Sequence, residues 1–86
     1  MPYIKQEQRE GLDSNIETLA YKIRDVGELN YVISSLAGRI AKRQPRFNYA
    51  MLSSIRAEIT DAADEFYRRV MAPYEDNKRQ QNGDVY

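Results

Sequence analysis

Three acidic residues, Glu58, Asp61 and Glu65, recur at steps of three and four, a spacing that lines carboxylates along one flank of a helix. Carboxylates placed this way are the ligands with which all-helical nucleotide hydrolases hold magnesium against a phosphate. Such a centre needs a second acidic pair from another helix. The chain supplies only Asp13, Glu17 and Asp25 early on, and then no acid at all between Glu28 and Glu58. Arg69, four residues after Glu65, also makes that carboxylate half of an ordinary ion pair. The three positions are therefore weak metal candidates. With 0 Cys and 0 His, thiolate zinc sites, cysteine nucleophiles, disulfides and the usual general base are all missing. The expectation is a non-enzymatic protein with no catalytic residue and no cofactor.

Tyrosine is the unusual signal, with 7 Tyr against 2 Phe and no Trp. A tyrosine offers a flat apolar ring and a hydroxyl, which suits protein interfaces and stacking on a base. Two binding surfaces can be built from it. In the first, aromatics and charges alternate through Tyr67, Arg68, Arg69, Tyr74 and Tyr86 too densely for a solvated tail, and the C-terminal third reads as a docking surface for another protein. In the second, Arg39, Lys42, Arg43 and Arg46 gather at a helix end. With Tyr49, Arg56 and Tyr67 they would hold a nucleotide-like anion, charge on phosphate and ring on base. Basic residues also collect at helix C-termini for dipole reasons alone.

Lys plus Arg equals Asp plus Glu, 13 against 13, so no net charge draws the chain to nucleic acid or membrane. The second helix is apolar on one side and rich in Ser, Ala and Gly on the other, which does not suit base readout, so specific DNA binding is not expected. No apolar run approaches the roughly 18 residues of a membrane span, and Met1 to Glu10 is polar rather than signal-like. Together with the lack of Cys, this leads to an expectation of a soluble, cytoplasmic protein.

The elements that must position these residues follow from periodicity. Ser14 with Glu17 forms a capping-box pattern, and Ile16, Leu19, Ile23 and Val26 follow at helical spacing, so a first helix is expected over 13–26 with Gly27 as its stop. A second over 28–43 carries Leu29, Val32, Ile33, Leu36 and Ile40 on one stripe, Ala37 beside them, and ends before Pro45. Asn48 is placed to cap a third helix over 49–72, whose Leu52, Ile55, Ile59, Ala62, Phe66 and Val70 approximate a heptad seam. Its length of about 36 Å exceeds that of either partner, leaving an overhang. Pro73 should break it, with the 73–86 tail folded back on the body or on a neighbouring subunit and Asn82-Gly83 as a turn. The fold expected is a single all-α domain, a small three-helix bundle with a long third helix. A chain of 86 residues buries only about 60–65% of its unfolded surface and stays marginal alone, so a homo-oligomer is expected.

Four strings carry a family likeness: Leu29-Asn30-Tyr31-Val32-Ile33, Glu65-Phe66-Tyr67-Arg68-Arg69, Pro73-Tyr74-Glu75-Asp76 with Lys78, and Asn82-Gly83-Asp84-Val85-Tyr86. With Pro2 to Ile4 at the start, they make the chain resemble, over nearly its whole length, a family of uncharacterised small bacteriophage and prophage proteins. The resemblance implies a phage accessory protein that inhibits a host process by binding a host protein or sequestering a nucleotide signal. It supplies no activity and no site residue. Relative to that family the chain is compact between its second and third helices, where Gln44 to Asn48 is the whole connection.

Overall fold

A computed structural model describes residues 3–86, so Pro2 of the family-like opening lies outside the described residues. The chain forms α1 (Gln6–Lys22), α2 (Val26–Arg43), α3 (Tyr49–Phe66), a π-helical turn (Tyr67–Met71) and α4 (Ala72–Asn82). The last three follow one another without a gap. The expected all-α class with three helices, the third longest, therefore holds, and no strand occurs among the described residues. Contacts group residues 3–55 into one compact unit and 56–86 into another.

In the first unit, α1 begins at Gln6 rather than at Asp13. The Lys5 N–H donates to Gln8 Oε1 at 3.1 Å and the Gln8 N–H donates to the Lys5 carbonyl at 3.0 Å, which fixes the helix start seven residues before the expected one. Ser14 sits inside the helix, where its carbonyl accepts from Thr18 Oγ1 at 3.1 Å. The stop also moves. Asp25 takes an extended backbone and its carboxylate accepts from the Glu28 N–H at 2.8 Å, so Asp25 caps α2 and α1 must end before it. Gly27, expected to terminate the first helix, lies in the first turn of the second. Glu28 reaches back to the Arg24 N–H at 2.7 Å and pairs with its guanidinium at 3.0 Å, which holds the Glu28 carboxyl below its usual value. The joint between α1 and α2 is thus fixed by local polar contacts.

The connection to α3 follows the sequence closely. α2 ends at Arg43, the Gln44 side chain donates to the Ile40 carbonyl at 3.1 Å, and the Met51 N–H donates to Asn48 Oδ1 at 2.9 Å. The apolar stripes of α1 and α2 face an open groove of 370 Å³ lined by Ile16, Leu19, Ala20, Ile23, Leu29, Val32 and Leu36. Ala41, 7% exposed, is the one buried residue among those described. Ile16, Leu29 and Leu36 keep 57%, 45% and 47% of their surface exposed.

In the second unit, Pro73 does not break the helix. A proline inside an α-helix lacks the N–H for its i−4 partner and drives its ring into that carbonyl, here that of Arg69. The turn just before it winds in π geometry, with the Ala72 N–H bonded to the Tyr67 carbonyl five residues back, and this widened turn makes room for the ring. α4 then runs to Asn82, and Gly83, at φ 88°, turns the chain as Asn82-Gly83 anticipates. The folded-back tail is therefore not 73–86 but the four residues after α4.

Candidate functional site

The chemistry-bearing residues of the second unit collect at its C-terminal end. Tyr67, from the π-helical turn, and Tyr74, from α4, line one open concavity of 640 Å³. Its far wall is the segment after Gly83, which brings Val85 and Tyr86 to the same surface.

Polar contacts hold these walls. The Tyr67 hydroxyl donates to Glu75 Oε1 at 2.8 Å across the π-helical turn. That hydrogen bond to a carboxylate, its negative charge and the nearby charge of Asp76 push the Tyr67 phenol above its ordinary value of 10.0. Lys78 Nζ sits 5.7 Å from the centre of the Tyr74 ring, a cation over an aromatic face. Arg79 bridges Asp76 of its own helix at 3.3 Å and Asp84 of the returning segment at 3.8 Å, and the Tyr86 N–H donates to Asp84 Oδ1 at 3.0 Å. The Tyr74 ring and the Val85 side chain stay exposed, at 64% and 90%.

Of the candidate docking residues, Tyr67, Tyr74 and Tyr86 come together here, while Arg68 and Arg69 do not line the concavity. Arg68 bonds the Glu65 carboxylate, which takes the place of the expected Glu65–Arg69 pair. Arg56 is exposed on α3 in the same unit. Glu58, Asp61 and Glu65 do not form a cation site: among the described residues no group of three or more acidic side chains converges. Four residues that shape the site, Glu75, Lys78, Arg79 and Asp84, are not among the candidate binding residues expected from sequence, although Glu75, Lys78 and Asp84 fall in the family-like strings. Their signal was present in the i, i+3 pair Asp76–Arg79, but the Tyr67–Glu75 contact spans eight residues and has no counterpart in regular helical spacing.

The candidate anion site lies elsewhere. Arg39, Lys42 and Arg43 close α2, Arg46 lies in the connection and Tyr49 opens α3, all within the first unit and all exposed. None of the four cations forms an ion pair among the described residues. Tyr67, one of the two rings in that reading, gives its hydroxyl to Glu75 and belongs to the other unit, while Tyr49 stays exposed beside the cations in sequence.

These features define a class: a small all-α protein that exposes aromatic and apolar side chains among its charges and ties part of that surface with polar contacts. Within that class, the chain belongs to the family described as Domain of unknown function (DUF6899), whose model matches residues 1–85. No curated protein and no solved structure matches it. No helix among the described residues is long and apolar enough to cross a membrane.

Proposed function

We propose that this chain is a non-enzymatic accessory protein of a bacteriophage or prophage that works in the host cytoplasm by docking a host protein and inhibiting the process it serves. One observation carries the docking part: Tyr67, Tyr74 and Tyr86, 19 positions apart in sequence, share one concave exposed surface whose walls are tied by Tyr67–Glu75 and Arg79–Asp84. Tyrosine gives large contact area for the loss of only two side-chain torsions, which is why it dominates recognition surfaces. Rings already held in place lose less entropy on binding, so more of the contact energy reaches affinity. The phage setting rests on the resemblance of the C-terminal strings alone. The nucleotide-anion reading draws on a different observation, the unpaired cations Arg39, Lys42, Arg43 and Arg46. It has the weaker support because Tyr67, one of its two rings, belongs to the other unit and gives its hydroxyl to Glu75.

The test shortens the chain to end at Asn82, which removes one wall of the concavity and leaves every helix intact. Expressed in a host cell, the full chain should retain one host protein in stoichiometric amount through purification and the shortened chain should lose it at unchanged helicity. Equal retention by both, or none by the full chain, would overturn the proposal.

A further inference from the structure

The apolar groove between α1 and α2 is a second surface, in the other unit, and its charge pattern selects its occupant. The two arms diverge from the Ile23–Asp25 joint and carry opposite charge. Along α1 lie Glu7, Glu10, Asp13 and Glu17, and none makes an ion pair among the described residues. At the end of α2 lie Arg39, Lys42 and Arg43, likewise unpaired. Helical spacing sets Asp13 and Glu17 beside Ile16 and Ala20, and Arg39 and Arg43 beside Leu36 and Ile40, so the unpaired charges flank the apolar stripes.

We propose that two copies of this chain pair through this groove about a two-fold axis, α1 of one copy lying along α2 of the other. A two-fold interface must be complementary to itself. Exchanging the arms puts each acidic α1 on a basic α2 and each exposed stripe on its counterpart. A foreign partner would have to bring both signs and an apolar seam in the same order, which a second copy does by construction. Arms of 17 and 18 residues are each about 26 Å long, and two such arms provide a face of the order that a stable interface uses, about 800 Å² per partner. The inference does not depend on the C-terminal docking surface.

Sedimentation equilibrium of the full chain, at several concentrations and salt strengths, reads the result. The wild type should sediment as a dimer. Asp13→Lys with Glu17→Lys should weaken pairing at least tenfold in Kd, and adding Arg39→Glu with Arg43→Glu should restore it. Because all four positions are exposed, circular dichroism should show unchanged helicity in every variant. Leu29→Glu, in the lining of the groove, puts a carboxylate into the apolar seam and should give a monomer with the flanking charges unchanged. A wild type that remains monomeric at high micromolar concentration would overturn the proposal, as would an assembly indifferent to the reversals and to Leu29→Glu.

Discussion

Tyr67 shows how a single residue type becomes informative only with its neighbour. Its hydroxyl and the Glu75 carboxylate are joined across the π-helical turn, and the carboxylate both accepts the phenolic proton's hydrogen bond and opposes formation of a phenolate beside it. Replacing Glu75→Gln keeps an acceptor oxygen and removes the charge. The Tyr67 titration, followed by the ultraviolet absorbance of phenolate or by NMR of labelled tyrosine, should then fall toward 10.0. An unmoved titration would mean that Glu75 does not hold the ring. The linkage has a definite sign. A phenol whose folded value is raised contributes stability that is fully present below the unfolded value and is lost as pH rises through the folded one, so this clasp loosens above about pH 10. At this scale the sequence marked Tyr67, Tyr74 and Tyr86 by type and density. It did not mark Glu75, because a partner eight residues away is out of reach in an unmodified α-helix.

At the scale of elements, the interior of each helix was readable and the ends were set by whichever polar group captured the terminal N–H groups. Asn48 and Pro45 act as their residue types dictate. Ser14 with Glu17 looked like a cap, but Gln8 and Asp25 supply the caps in fact, and the pattern Asp25-x-x-Glu28 was as visible in the sequence as the one chosen. Pro73 is the larger departure. The rule that proline breaks a helix assumes regular α geometry on both sides, and a single π-helical turn relieves the clash and lets the helix continue. Substituting Pro73→Ala removes the reason for that turn. Urea unfolding should show a gain smaller than the about 3 kcal/mol that separates proline from alanine inside a regular helix, because the π-helical turn already relieves much of the clash. The same variant should lose the Tyr67–Glu75 bond as the turn reverts and the two side chains rotate apart, and Tyr67 should titrate near its ordinary value. A less stable variant with an unchanged Tyr67 titration would contradict this account of the turn.

For the molecule as a whole, the all-α class and three-helix plan were legible because 3.6-residue periodicity recurs along the chain, most clearly in α2 and α3. The exposure of their stripes was not, since periodicity shows which face is apolar and not what covers it. The central claim is that the concavity formed by Tyr67, Tyr74 and Tyr86 receives a host protein, and site-specific photo-crosslinking tests it most directly. A photoreactive phenylalanine analogue is placed at position 74 in the concavity, and in a separate chain at position 21, an exposed tyrosine of α1. After irradiation in host cells, position 74 should give one dominant adduct with a host protein, identified by mass spectrometry, and position 21 should give none to that protein. Crosslinks from position 74 that are absent, or that match those from position 21, would contradict the claim.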